Sequence, residues 1–526
     1  MQIKVFIPSA GLGSRLGPYT KFVNKALLSI GNLPVIVRII KNFPAGSQIV
    51  IAIGYRGEHI RQAVNTLCPE YDIIFVEINK YQGEGSSLGH TINACREYLQ
   101  SPFIFIPNDT LIDLQEHDGL LSSETDWAGY YLKRDGDGVP IDQYRTLEVT
   151  NGLITQIHPK GIESPNIYIG VAGIKNYQLF WKNFDETTDI APGEVVGLNK
   201  LPKLKGVKFD SWQDIGNISS LRKAQKNYQN PNINILEKED EAIWFEKNQV
   251  VKFHIDPKFI SDRVKRLKNL PTELFPKIVN NDKNIFTYEK VNGDVLSKSI
   301  TPNLVRLLLD NVQKSLWCHQ DNNSEFINNL DAFYREKTKS RIEHFLKRFE
   351  KIDQKLVING EEVPSASELL KKVDWQRLIQ EAKISRFHGD FHSENILYTE
   401  DERFKLIDWR QNFGTDNYEF GDTYYDLAKF LHGLYVSHEQ VDKNNFKVTR
   451  HRSNIIDIDI LIPFKNYTCI SELKSWCENN NYNFQHVELL TSLIFLNICG
   501  LHEYPYSEFL FYLGIYLLKR NLDIVS

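Results

Sequence analysis

One block of the 526-residue chain constrains its fold more than any other. It reads Phe-His-Gly-Asp-Phe-His-Ser-Glu-Asn-Ile-Leu at 387–397, then Lys-Leu-Ile-Asp-Trp-Arg at 405–410. His388, Asp390 and Asn395 keep a His-x-Asp-x-x-x-x-Asn spacing, and Asp408 trails the apolar run 404–407. Phosphoryl transfer needs a carboxylate beside the attacking hydroxyl, the role open to Asp390. It also needs hard oxygen ligands for Mg²⁺ on the ATP phosphates, the roles open to Asn395 and Asp408. A surface loop that collected Asp, His and Asn by chance is the competing reading. The complete block, with its trailing strand, outweighs it.

A chain of this length exceeds one ordinary core and implies two or three domains. Net charge of −5 gives no general reason for nucleic acid or an anionic membrane as partner. The six cysteines, at 68, 95, 318, 469, 477 and 499, form no CxxC pairs, which fits reduced thiols in a cytoplasm rather than zinc or disulfides. The first residues lack the apolar stretch of a signal peptide and read as a strand. The apolar segment 489–501 is too short to span a bilayer, so no membrane insertion is expected.

At the N-terminus, the apolar run 3–8 feeds Ser9-Ala-Gly-Leu-Gly-Ser-Arg-Leu-Gly17. Glycines at 11 and 13 let backbone N–H groups approach a phosphate. The Walker pattern is absent and the dinucleotide fingerprint incomplete. With Arg15 and Asn24-Lys25-Ala-Leu-Leu28, however, this stretch resembles the signature of the sugar-phosphate nucleotidyltransferase family, Gly-x-Gly-x-Arg-Leu followed by Pro-Lys-x-Leu. Asn24 replaces the usual proline, a departure tolerated in relatives acting on phosphocholine. The resemblance implies that Gly11 and Gly13 line the nucleotide, Arg15 holds the NTP phosphates and Lys25 holds the acceptor's phosphate. Two solvated surface cations are the bland alternative, but joining two anionic groups does call for fixed positive charge.

Alternation of helix (34–42), strand (48–54), helix (58–67) and strand (71–78) predicts a parallel sheet with ligands at the strand C-termini. The small-residue loop 81–88 lies where the family reads the base, which implies contacts from Gln82 and Gly85. A plain loop with a serine N-cap competes. The strand 103–107 ends at Asn108-Asp109, and a second aspartate stands in Ser211-Trp-Gln-Asp214-Ile-Gly-Asn217. Both match the family's metal aspartates, and two carboxylates brought together repel unless a dication lies between them. Glu194, after Gly193, matches a sugar contact in sugar-specific relatives; a solvated turn glutamate is the other reading.

Residues 228–240 have linker composition, and the expected domains are 1–230 and 231–526. In the second, the runs 241–245 and 249–253 read as a hairpin ending near Lys252, which resembles a small-lobe lysine for ATP phosphates. Asp262 and Glu273 both stand as carboxylate partners for it. No glycine-rich loop covers the phosphates, as in choline and aminoglycoside phosphotransferases, which this half resembles. The stretch 286–296 resembles their hinge and implies adenine contacts from the backbone of Glu289 to Val291. After Pro302 the chain reads as mostly helical outside the catalytic loop, with Asp422 and Asp426 in structural roles.

The fold expected is α/β: a Rossmann-like nucleotidyltransferase domain followed by a two-lobed, protein-kinase-like α+β domain. The function expected is bifunctional. ATP phosphorylates a sugar or small alcohol, and an NTP then activates the phosphomonoester with release of pyrophosphate, as in surface-polysaccharide precursors. Mg²⁺ (or Mn²⁺) serves both sites. An amino-alcohol kinase joined to a CTP:phosphocholine cytidylyltransferase is the nearest alternative. A resistance-type kinase with a nucleotide-binding sensor domain is the alternative of another class. Acceptor, base and oligomeric state stay open.

Overall fold

The computed structural model describes residues 3–117, 119–134, 136–186, 193–228, 240–319, 324–414 and 419–525. The expected domain boundary at 230/231, and the linker around it from 229 to 239, lie outside these residues. The chain forms two compact units, residues 1–257 with 282–287, and residues 258–281 with 288–526.

The first unit is built on a nine-stranded sheet. Asp72–Glu77, Gln48–Ile53, Lys4–Ser9 and Phe103–Phe105 run parallel, with Ser9 level with Ile53 and Ile53 with Glu77. Their neighbouring C-terminal ends therefore open on one edge of the sheet, where loops 10–17, 54–56 and 78–87 emerge. Beyond Phe103–Phe105 the sheet turns mixed, through Asn166–Ile174, Trp127–Leu132, Lys205–Phe209, Leu153–Ile157 and Leu147–Thr150. Both faces are covered. Val5, Ile7, Ile49 and Ile51 enter one core, while Phe6, Val50 and Ala52 enter the other, all without exposed surface. A continuous apolar run is what a strand buried on both sides requires. The helices Val35–Ile40 and Gly57–Leu67 fall where the alternation placed them.

The hairpin Glu241–Glu246 and Gln249–His254 belongs to this first unit. Trp244 is fully buried and donates Nε1–H to Ser29 Oγ at 3.1 Å, and Phe253 meets His59 edge-on at 5.0 Å.

The second unit is dominated by helices, among them Pro302–Ser315, Lys337–Arg348, Thr423–Tyr435, Phe464–Asn479, Phe484–Ile498 and Tyr506–Val525. A three-stranded sheet of Asp294–Val295, Ile396–Tyr398 and Phe404–Leu406 carries the catalytic block. The helical reading of this half needs correction. Glu361–Val363, Leu356–Ile358, Ile455–Ile460 and Phe446–Arg452 form a four-stranded sheet away from the catalytic loop. Ile-Ile-Asp-Ile-Asp-Ile at 455–460 shows the period-two pattern that signals such a strand. The late apolar stretch also runs further than read. Phe484–Leu501 is long and apolar enough to cross a membrane by length and composition, but 67% of it is buried within the protein, as in a core helix.

Two candidate active sites

In the first unit, the glycine loop is shaped by crowding. Gly13 has φ of 69°, and a Cβ there would stand 3.0 Å from Thr20 Cγ2 and 3.3 Å from Lys25 Cβ. Only glycine takes that conformation in that space without strain. Gly11 faces open space instead. Asn24 fastens the loop from below. Its buried amide donates to the carbonyls of Tyr55 (2.8 Å), Ser9 (3.1 Å) and Gly11 (3.3 Å), while its Oδ1 accepts from Ala26 N–H (2.9 Å). Its φ of −70° is one that proline also adopts, so the family's usual residue and asparagine suit the same backbone.

Lys25 Nζ lies 2.8 Å from Asp109 Oδ2, and the largely exposed Arg15 guanidinium lies 3.9 Å from the same oxygen. Burial pushes the Asp109 carboxyl up, but Lys25 and then Arg15 outweigh it and hold it below the usual range. Asp214 sits on the short strand Trp212–Asp214, paired with Thr110–Ile112 so that Asp214 is level with Thr110. Its carboxyl accepts from Ser220 Oγ at 3.1 Å and from Tyr144. Burial, and next the Asp109 charge, raise it. A Cβ on Gly216 would meet Asp214 Oδ1 at 3.1 Å, Arg15 Nη2 at 3.2 Å and Asp109 Oδ2 at 3.5 Å. The two aspartates therefore converge, and their oxygen donors suit Mg²⁺ or Mn²⁺.

Glu194 begins the short helix Glu194–Leu198 and is 8% exposed. Burial raises its carboxyl, with the Tyr168 hydroxyl and Arg145 acting the other way and the Asp109 charge adding to the rise. It is a buried group, not a solvated turn residue. In the loop 81–88, Gln82 is exposed, Gly85 has φ of 78°, and a Cβ at 85 would collide with Lys80 Nζ at 2.6 Å. Ser87 caps the helix Leu88–Ala94.

In the second unit, Asp390 Oδ1 is 2.7 Å from Lys429 Nζ. Burial works against ionisation, yet Lys429 and next His392 hold the Asp390 carboxyl well below the usual range. Asn395 Nδ2 donates to the Asp390 carbonyl at 3.0 Å. Ile407, the residue before Asp408, joins both arms of the block: its N–H bonds Asn395 O at 2.9 Å and its carbonyl lies 2.9 Å from His388 Nε2. Asp408 itself has φ of 58°, a left-handed conformation uncommon for non-glycine residues, and pairs with Arg263. Asn395 and Asp408 carry side-chain oxygens of the kind that Mg²⁺ takes.

The loop is over-determined from behind. Asp426 accepts the N–H groups of His388 and Gly389 at 2.7 Å each and Trp317 Nε1–H at 3.1 Å. Burial still pushes its carboxyl up to about 6. Asp422 caps the helix Thr423–Tyr435 and takes bonds from Lys383 N–H and Tyr334 Oη–H. Both aspartates thus have the structural roles expected of them. Arg266, fully buried, donates to the carbonyls of Phe387, His388 and Arg410.

The candidate ATP-side residues are less gathered. Lys252 is 2% exposed and lies 3.7 Å from Glu241 Oε1. Ile243 is level with Lys252 across the hairpin, so Glu241 is its diagonal neighbour on the same face. Sequence order pointed to Asp262 and Glu273 and passed over Glu241. Asp262 pairs with Lys258 on its own helix, at 3.0 Å. The Glu289 N–H bonds Lys277 O at 3.0 Å, and Val291 is half-buried.

Residues 329–443 match the phosphotransferase enzyme family. No curated protein matches the chain. Among solved structures, the CTP:phosphocholine cytidylyltransferase of Streptococcus pneumoniae aligns at 17% identity over 44% of this chain and 100% of its own, with a TM-score of 0.38. A putative glucose-1-phosphate thymidylyltransferase from Bacillus anthracis aligns at 18% identity, 45% and 98% coverage, TM-score 0.36. HddC from Yersinia pseudotuberculosis aligns at 19% identity, 43% and 100% coverage, TM-score 0.35. Asp390, Asn395, Asp408 and Lys429 all fall inside the family match, so the stretch that carries this block is similar to the phosphotransferase enzyme family.

Proposed function

We propose that the protein is a bifunctional transferase that first phosphorylates a small alcohol and then nucleotidylates the product. The observation that carries the reading is that one chain holds two complete sets of groups. Lys25, Asp109 and Asp214 converge in the first unit. Asp390, Asn395 and Asp408 are tied together in the second.

In the kinase step, Asp390 accepts a hydrogen bond from the acceptor hydroxyl and takes its proton as the oxygen bonds to the ATP γ-phosphorus; the bond to the β-phosphate oxygen breaks and ADP leaves. Lys429 keeps the Asp390 carboxylate ionised and aimed. In the nucleotidyl step, an oxygen of the phosphomonoester attacks the NTP α-phosphorus, and pyrophosphate departs. Lys25 holds the phosphomonoester and Arg15 the NTP phosphates. Mg²⁺, when bound at Asp109/Asp214 or Asn395/Asp408, neutralises charge on the phosphates. The first product is the second acceptor, which gives the fusion its logic. Buried Glu194 supports a sugar-bearing acceptor, and a cytoplasmic setting follows from the ATP and NTP demand. Activated sugars of this type serve surface-glycan assembly.

The full chain, incubated with ATP, each NTP and a panel of sugars and amino alcohols, should yield both products by mass. Asp390→Asn should reduce phosphorylation by ~10²–10⁴-fold and leave nucleotidyl transfer to a supplied phosphomonoester intact. Equal loss of both activities in a folded variant would refute two separate sites.

A further inference from the structure

Beside Asp390 the second unit gathers several cations that no carboxylate among the described residues pairs with. Lys337 Nζ lies 4.1 Å from the centre of the Phe333 ring, and the Arg410 guanidinium carbon lies 5.0 Å from the same centre. One buried ring thus brings both cations together. Arg410 is also held against the catalytic loop. Its N–H bonds His388 O at 3.0 Å, and a Cβ on Gly389 would fall 2.6 Å from the Arg410 Cβ. Arg341 follows Lys337 by one helical turn, on Lys337–Arg348. Lys429 is already joined to Asp390. Among the described residues, Lys337, Arg341 and Arg410 form no ion pair with a carboxylate.

The backbone here is unusual too. Phe333 lies in a π-helical turn, Ala332–Glu336, spliced between Ser324–Asp331 and Lys337–Arg348. Such insertions cluster at functional sites because they re-aim side chains. A small cavity beside it is lined by Phe333, Lys337 and Tyr425 together with Leu490, Leu493 and Ile494. Like charges gathered around one ring oppose one another unless an anion joins them. Burial first, and then the charges of Arg410, Arg341 and Lys429, lower the Lys337 ammonium below its ordinary value, and an anion beside it would act the other way.

We infer that the alcohol phosphorylated at Asp390 carries its own negative charge, a carboxylate or a phosphate, seated against Lys337 and Arg410. This rests on the kinase reading and refines its substrate. A cationic amino alcohol would be repelled by the same residues. Sugar acids and sugar phosphates are the two sources of such an anion.

The test uses the full chain and matched neutral, carboxylate and phosphate members of hexose, pentose and glycerol series, with choline alongside. Binding is measured calorimetrically with a non-hydrolysable ATP analogue present, and turnover separately with ATP. An anionic member should bind and react at least tenfold better than its neutral counterpart. Lys337→Met, which keeps the stem, should erase that preference while changing the KM for ATP less than twofold; Lys337→Arg should retain most of it. Carboxylate and phosphate arms identify the source. Preference for a neutral member or choline, binding of no anionic member, or a Lys337→Met effect confined to ATP would overturn the inference. Anion binding without phosphoryl transfer by the intact chain would instead sink the kinase reading while leaving the anion site standing.

Discussion

Replacing Asn24 by alanine should loosen the glycine loop by an amount that can be worked out in advance. The amide has two N–H groups, so its three carbonyl contacts amount to two full bonds, one to Tyr55 O and one shared between Ser9 O and Gly11 O. Leaving a buried polar group unsatisfied costs about 1–3 kcal/mol. The lost cap at Ala26 N–H adds about 1 kcal/mol. Gly11 faces open space, so its carbonyl can rehydrate as the loop opens, which favours the lower part of the range. The sum is about 3 kcal/mol, or roughly a hundredfold in an opening equilibrium. Amide hydrogen exchange of the full chain reads this locally. Peptides spanning 9–28 and 54–56 should lose about a hundredfold protection, while peptides spanning 388–408 serve as an internal control and stay unchanged. Asn24→Pro should lose less, by about 0.4–1 kcal/mol, because the ring suits the existing φ and restricts the unfolded chain. Protection within about fivefold of wild type in Asn24→Ala would refute the idea that this side chain holds the loop.

Two further outcomes concern the catalytic groups. Lys25→Ala should weaken the phosphomonoester ten- to a hundred-fold, about 1.5–3 kcal/mol, and NTP little, whereas Arg15→Ala should injure chiefly the NTP side; steady-state kinetics varying each substrate shows the split, and a phosphomonoester kcat/KM within about twofold of wild type removes Lys25 from its role. Lys429→Met should shift the acid limb of the kinase pH profile to higher pH, since Asp390 is depressed by that ammonium and its removal raises the carboxyl. The same depression means that the pair's stabilisation is fully present above the unfolded carboxyl's titration and is lost as pH falls through the depressed folded value, so Lys429→Met should also flatten acid unfolding. An unmoved limb would show that Lys429 is not what keeps Asp390 ionised.

What could be read in the sequence was what lies close along it. His388, Asp390 and Asn395 share one loop, and Asp408 follows a strand hydrogen-bonded to it, so spacing alone carried their relation. The glycine loop and Lys25 were similarly local. Lys429, Glu241 and Arg145 escaped notice because folding, rather than sequence proximity, brings them to their partners. A lysine on a buried helix face or a glutamate on a hairpin has no signature until its neighbour across space is known. Asn24 was noticed only as a departure from proline; its bonds to three carbonyls needed coordinates. The ribbon 446–460 did carry a legible alternation, which the surrounding helical pattern obscured.

Arg266 bears on how this protein can be dissected. The guanidinium belongs to the helix Pro257–Leu267, yet it grips the carbonyls of 387, 388 and 410. From the same helix Arg263 reaches Asp408, and its carbonyl takes the Trp409 Nε1–H at 3.0 Å. The family match begins only at 329. A fragment cut to that match would contain every residue of the phosphoryl-transfer block and still lack the cations that hold it together. It would strip the Arg266 donor from three inward carbonyls, leaving His388 O only its bond from Arg410 N–H, and its failure would say nothing about the chemistry of Asp390. Engineers who wish to transplant this phosphotransferase-like unit, and geneticists who map inactivating changes, should therefore keep the segment from 257 to 267 with the block at 387–410, although it lies more than a hundred residues upstream of it.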